Sequence, residues 1–241
     1  MKKTFTILLA ALAIAACDSK KQTPANNSAD STKTDTIAAA LPSSPYASAD
    51  LALYGVKGQV LSFQEEIFEG EADGTYDKES GFGALTTTFD KDGNLVSDES
   101  LYINKNWKVT RDEQGRITDI DGDYDGECPY EYLNCYSYDE NGRLAARDEE
   151  YIGELHGTNR WVYTYDKDGN ITGWEAIKYG DGITIEEQVT IIPMDVDEQG
   201  NWTRATFQSH YKEYDENDGE KKLTTEDDTY NVHIRSFKYS Y

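Results

Sequence analysis

The chain has 241 residues, with 46 Asp and Glu against 23 Lys and Arg, for a formal charge of −23. That length allows one or two domains with a real core, and so acidic a surface argues against nucleic acid or an anionic bilayer face as a partner, since both are met by Lys/Arg clusters. Three histidines and three cysteines leave little for dense zinc or Cys/His chemistry.

In chain order, the first element is an export signal. Lys2 and Lys3 form a short basic region, and Phe5 to Ala16 is an apolar run of 12 residues, too short to cross a bilayer as a helix and suited to a signal-peptide core. It ends in Ile14-Ala15-Ala16-Cys17, an aliphatic residue and two small ones before a cysteine. This stretch resembles the bacterial lipobox, and the resemblance implies a signal peptide over 1–16 and lipid attachment at Cys17. An ordinary secretory signal cut at an Ala-x-Ala site is the alternative. A single acyl chain binds a bilayer only marginally, so several chains are needed for durable anchoring. Residues 17–50 are rich in Ser, Thr, Asn and Ala, with Pro24, Pro42 and Pro45 and almost nothing bulky. Such a segment buries too little apolar surface to offset its ordering entropy and reads as a disordered tether. The signal carries two lysines and the tether four aspartates against three lysines, so the acidity belongs to residues 51–241.

That remainder is punctuated by a repeat. Asp90-Lys91-Asp92-Gly93-Asn94, Asp112-Glu113-Gln114-Gly115-Arg116, Asp139-Glu140-Asn141-Gly142-Arg143, Asp166-Lys167-Asp168-Gly169-Asn170 and Asp197-Glu198-Gln199-Gly200-Asn201 align on glycines 22, 27, 27 and 31 residues apart. Asp at the first position and Gly at the fourth is the chemistry of a type I turn followed by a left-handed residue, which closes a β-hairpin with a bulge. Alternation on both sides, as in Tyr136-x-Tyr138 before the turn and Leu144 after it, reads as paired strands. Further Gly/Asn clusters at Gly70 to Gly74, Asn104 to Asn106, Gly122 to Gly126, Gly153 to Gly157 and Gly180 to Gly182 mark the returns. The expected fold is all-β with little helix: an antiparallel meander of about twelve strands in consecutive hairpins, curled by strand twist or closed into a barrel-like sheet.

Tyr136-x-Tyr138-Asp139-x-x-Gly142-Arg143-Leu144 and Tyr163-x-Tyr165-Asp166-x-x-Gly169-Asn170-Ile171 resemble the YD repeat of the Rhs-like family. Asn201-Trp202-Thr203-Arg204 and the closing Arg235-x-Phe237-x-Tyr239 are similar to the end of small YD-repeat lipoproteins of unknown function in Gram-negative bacteria. The resemblance spans most of 51–241. It implies rolled antiparallel sheets and brings no catalytic residues with it.

Candidate chemistry is sparse. Asp121, Asp123 and Asp125, followed by Gly126, resemble the first half of a calcium loop, but the twelfth position is Tyr132 and the ninth Pro129, so an acidic turn accounts for them equally and no metal or other cofactor is expected. Cys128 and Cys135 remain once Cys17 is lipidated, an even number in an oxidising compartment and consistent with a small disulfide loop, reduced thiols being the alternative. His156, His210 and His233 are scattered, and no nucleophile elbow or phosphate loop is present. Among Trp107, Trp161, Trp174 and Trp202, the last sits in a core column. Trp174 has the opposite parity to Ile171, Ile177 and Tyr179, which makes it the candidate for an exposed ligand platform.

Two functions follow. The first is a non-catalytic envelope lipoprotein, held to a membrane by its N-terminal lipid, that binds a glycan or an envelope protein or serves as a scaffold. The second is a glycan hydrolase using two carboxylates about 5 to 9 Å apart. Replacing Cys17 by Ser should abolish incorporation of labelled palmitate; continued labelling of that variant would remove the lipid anchor from the account.

Overall fold

A computed structural model of the chain describes residues 46–101, 103–126, 129–153, 156–217 and 220–240. The signal, Cys17, residues 18–45 of the tether and Cys128 lie outside the described residues. Twelve strands form one antiparallel sheet: β1 (Val60–Glu69), β2 (Ala84–Phe89), β3 (Leu95–Asp98), β4 (Lys105–Arg111), β5 (Ile117–Tyr124), β6 (Tyr130–Tyr138), β7 (Leu144–Gly153), β8 (His156–Tyr165), β9 (Ile171–Gly180), β10 (Ile183–Val196), β11 (Trp202–Asn217) and β12 (Glu220–Tyr239). Helix α1 (Ala49–Leu53) and a 3-10 turn at Glu99–Leu101 are the only helical elements among the described residues.

The five Asp-x-x-Gly segments are the hairpin turns expected of them, joining β2 to β3, β4 to β5, β6 to β7, β8 to β9 and β10 to β11. In the first, Gly93 N–H donates to Asp90 O at 3.0 Å and Asp90 N–H to Asn94 O at 2.8 Å. The Asp90 carboxylate accepts from the N–H groups of Asp92 at 2.8 Å and Asn94 at 2.9 Å. The glycine stands at φ +81°, a region where a Cβ would clash with the backbone. The residue after the glycine closes the loop through its side chain: the Asn94 and Asn170 amides and the Arg116 and Arg143 guanidiniums donate to the second carboxylate oxygen at 2.8 to 2.9 Å, and the Asn201 amide does so at 3.4 Å. Those hydrogen bonds hold the Asp90 and Asp166 carboxyls below the usual aspartate range.

Tyrosines couple one turn to the next. Tyr138 lies under the Arg116 guanidinium at 4.4 Å and donates its hydroxyl to Ile117 O at 2.7 Å. One repeat later, Tyr165 lies under Arg143 at 4.5 Å and donates to Leu144 O at 2.6 Å. A Tyr-Asp pair therefore serves two hairpins: the Asp its own turn, the Tyr the turn before it.

The strand order is β3-β2-β1-β12-β11-β10-β9-β8-β7-β6-β5-β4. Consecutive strands pair throughout except β3 with β4, and the first strand pairs with the last, Phe63 opposite Phe237 and Glu65 opposite Arg235. The two edges are thus neighbours in sequence. Six residues, seven Cα-to-Cα steps, carry the chain from the end of β3 to the start of β4, a reach of about 25 Å, whereas twelve strands laid flat measure roughly 50 Å across. The sheet must curl until its edges approach, without closing into a barrel. Its apolar residues face the inside of that curl. Leu95 of β3 and Leu101 share one buried cluster with Ile117 and Ile120 of β5, while Gln64, Glu66, Ser236 and Lys238 are exposed.

A sheet of twelve strands encloses more than its own side chains fill, since about eight already do so. Residues 46–59 occupy part of the space. The turns alternate ends along the meander, so all five Asp-x-x-Gly turns lie at one end, and this segment meets them there. Tyr46 donates to Gly169 O at 3.2 Å, Ser48 to Gly93 O at 2.7 Å, and Lys57 N–H to Asn201 Oδ1 at 2.6 Å. Ser48 also caps α1 by accepting from Leu51 N–H, and Leu51, Leu53 and Val56 enter the core. The sequence reading places residues 46–50 in a disordered tether. Residues 46–50 belong to the fold, because the sheet supplies the apolar surface and hydrogen-bond partners that the segment's own composition lacks.

Asp50 holds the seam. It is 2% exposed and accepts from Leu95 N–H of β3 at 2.6 Å and from both terminal nitrogens of Arg111 of β4 at 2.6 Å. One carboxylate thereby joins the two unpaired edges. Losing it strands a guanidinium and a backbone N–H, and Asp50→Ala should cost about 3 kcal/mol in urea unfolding. Asp92→Ala, which breaks only an exposed pair with Lys91, should cost less than about 0.5 kcal/mol. Equal losses would remove Asp50 from this role.

Candidate functional site

The curled sheet and residues 46–59, which plug one end of it, leave a cavity of about 670 Å³, within the range of small-molecule sites. Phe63, Tyr136, Tyr163, Trp174, Trp202 and Phe207 supply aromatic walls, with Leu53, Leu85, Ile171 and Ile191 between them. Glu65, Asp98, Arg147 and Arg235 are among the ionic groups that face it.

The first set joins β1 to β12. Glu65 accepts from Arg235 Nε at 3.0 Å and faces its Nη2 at 2.9 Å, and its other oxygen lies 2.6 Å from His233 Nδ1. The Arg235 guanidinium stacks on Trp202, 3.9 Å from the ring centroid, and His233 stacks on Phe207 at 3.7 Å and 14°. Burial alone would raise the Glu65 carboxyl, but the Arg235 charge together with the hydrogen bond and charge of His233 outweighs it and pulls the group from 4.5 to about 2.

The second set crosses β6, β7 and β8. Arg147 donates to Asn134 Oδ1 at 2.8 Å, Tyr132 Oη at 3.0 Å and Glu149 Oε2 at 2.6 Å. Asn159 donates to the other Glu149 oxygen at 2.6 Å, and Tyr132 to the first. Arg147 also lies 4.7 Å from the Trp161 centroid. A third carboxylate, Asp98, accepts from Tyr54 Oη at 2.7 Å and from Ser100 Oγ at 2.6 Å. Burial raises the Tyr54, Tyr136 and Tyr163 hydroxyls above the ordinary tyrosine value, so they remain protonated.

Trp174 is not on an exposed face. The bulge pairing Tyr165 with Ile171 resets the alternation after Ile171, so Ile177 and Tyr179 stand outside, 55% and 41% exposed. Trp174 turns inward instead, edge-on to Phe207 at 5.6 Å, with its buried indole N–H lacking a partner. It remains a candidate platform, but for a ligand inside the sheet. Trp202 is inward, as expected.

The acidic stretch is strand rather than loop. Asp121 and Asp123 lie on β5, where same-face carboxylates step along a line by about 7 Å and do not converge on one ion. Asn106 donates to Asp123, and Lys105 pairs with Asp125. Burial and the neighbouring Asp119 raise the Asp121 carboxyl. Among the described residues no three His, Cys, Asp or Glu side chains gather as a metal site. Cys135 lies on β6 with Sγ 3.4 Å from Asp119 Oδ1; its expected partner Cys128 is not among the described residues. His156 is exposed, and exposed His210 sits 2.8 Å from Asp228.

His233, read in the sequence as isolated, is the histidine the fold brings to a partner. Glu65, Arg147 and Glu149 were not singled out in the sequence, and Arg235 was read there only as part of a closing motif. The signal for Glu65 and Arg235 was charge in an inward column, Phe63-x-Glu65-x-Ile67 and His233-x-Arg235-x-Phe237, but the pairing of strands 168 residues apart is not written locally.

Compared with known proteins, the chain matches no family model, no curated protein and no solved structure.

Because the folded-state value of Glu65 lies below the ordinary one, its contribution is present above pH 4.5 and disappears as pH falls toward 2. Over that interval the unfolding free energy of the wild type should drop about 3 kcal/mol more than that of Glu65→Gln. Parallel pH profiles for the two proteins would contradict the ion-pair assignment.

Proposed function

We propose that this chain is a lipid-anchored, non-catalytic protein of the bacterial cell envelope, and that it binds a small apolar ligand inside its curled sheet. The observation that carries the binding reading is the cavity of about 670 Å³, walled by aromatic rings with a few fixed polar groups, which is the composition of ligand pockets. The lipobox-like segment ending at Cys17 and the likeness to small YD-repeat lipoproteins support the anchoring half. The chain's acidity supports it as well, since with a charge of −23 attraction to anionic lipid contributes nothing.

The carboxylates facing the cavity favour binding over glycan hydrolysis. A glycosidase acid needs a carboxyl raised toward neutrality, whereas Glu65 is held at about 2 and Asp98 is engaged by Tyr54, Ser100 and, at 3.4 Å, Thr87. The interior also accounts for the ligand class. An envelope glycan presents many hydroxyls, and a pocket walled largely by rings and aliphatic side chains offers them few partners.

The full chain should enhance and blue-shift the fluorescence of the neutral probe N-phenyl-1-naphthylamine. Ile191→Trp, which narrows the cavity, should weaken that binding about tenfold with the far-ultraviolet dichroism unchanged. Absence of any enhancement by the wild type would discard the reading.

A further inference from the structure

Strand β12 runs for 20 residues, and only its second half is paired on both sides. β11 follows it as far as Glu220, but β1 meets it only from Asn231 to Tyr239. Among the described residues no strand pairs with the other side of Glu220–Thr229, and Glu220 to Asp228 are all exposed. Such an edge is a row of unmet N–H and C=O groups ready to template another strand. It also carries a charge pattern, with Lys221 and Lys222 toward one end and Glu226, Asp227 and Asp228 toward the other. The register against β11 shifts between Glu213 and Tyr214, and the shift changes which residues share a face. Lys222 and Asp227 stand opposite Asp215 and Tyr211, on one face; Lys221 and Asp228 stand opposite Glu216 and His210, on the other. Within one chain each Lys lies about 14 Å or more from the Asp on its face, too far to pair with it.

We propose that this edge pairs antiparallel with the same edge of a second copy of the chain, about a two-fold axis through the shifted position at Thr224 and Thr225, so that one sheet runs through both molecules. Two-fold pairing is isologous and sets directly opposed residues on the same face. This register places Lys222 opposite Asp227, Lys221 opposite Asp228, Leu223 opposite Glu226 and Glu220 opposite Thr229, each twice. No like charges meet. Moving the axis to Leu223 would set Glu220 against Asp227, and moving it to Glu226 would set that carboxylate against its own copy. Opposite charges directly across an antiparallel pair stabilise it and like charges do not. Charges on an edge strand ordinarily keep other strands away; here their order suits the strand's own two-fold image. Lys222 and Asp227 have the most to gain. Lys221 already meets Glu186 at 2.6 Å and Asp228 meets His210 at 2.8 Å, whereas Lys222 and Asp227 have no ion-pair partner among the described residues.

Sedimentation equilibrium of the full chain in density-matched detergent, with reductant present, tests this. The wild type should dimerise with a Kd of about 10 µM, because an edge of about ten residues a side is smaller than a standard interface. Lys222→Glu and Asp227→Lys should each weaken the dimer about tenfold or more, since each sets like charges opposite one another. An equimolar mixture of the two variants should recover the wild-type association, because across the mixed pair every charge again faces its opposite. Both positions are exposed, and the far-ultraviolet dichroism should not change. A wild type that stays monomeric at about 100 µM overturns the proposal even if a variant fails to fold. So does a dimer that survives both reversals, or a loss that mixing does not repair. The cavity reading is independent of these outcomes.

Discussion

The sheet depends on one buried carboxylate. A meander of twelve strands has two edges, and an unpaired edge is a row of exposed N–H and C=O groups open to wrong partners. Here the edges are drawn together by the short connection between β3 and β4, and Asp50 then bonds to both, a backbone N–H on one side and a guanidinium on the other. Burying a carboxylate is expensive unless it is paired and hydrogen-bonded. Asp50 meets both conditions only when β3, β4 and α1 are all in place. The interaction therefore reports on the assembled curl, and it anchors the N-terminal segment that plugs one end.

The turns show how a repeat of this kind propagates. Asp and Gly make each hairpin on their own, through backbone geometry. The residue after the glycine and the tyrosine before the next Asp do a second job. Arg116 and Arg143 each bind their own aspartate and lie over the tyrosine of the following hairpin, whose hydroxyl returns to a carbonyl of the earlier one. Where the tyrosine is missing before the last turn, other residues cover the gap. Tyr46 from the plug reaches Gly169, and Asn201 donates to Tyr239 Oη from β12. The degenerate repeats are thus completed by the two ends of the folded region.

The distribution of charge follows the same division. The acidic excess lies outside, where water solvates it, while the two arginines facing the cavity, Arg147 and Arg235, are each paired with a carboxylate. Glu65 and Glu149 each serve an arginine that also stacks on a tryptophan, so the guanidinium is satisfied in its plane and on a face. Such sets fix side chains in the middle of an otherwise apolar space.

The sequence by itself determined the local facts: all-β structure, twelve strands, the positions of five hairpin turns and the inward column holding Trp202. Each rests on interactions within a few residues, Asx bonding, a left-handed glycine and period-two alternation, which a linear reading captures. Its errors mark where that locality ends. A single bulge at Tyr165 and Ile171 reversed the parity assigned to Trp174. Residues 46–50 read as tether because their partners, Gly93, Leu95 and Arg111, lie more than forty residues away. Only the tertiary structure decided that β1 pairs with β12, that the curl stays open at β3 and β4, and that Glu65 meets His233 across 168 residues. Strand pairing at that separation is chosen by the burial of whole faces, a property of the assembled sheet and not of any stretch of the chain.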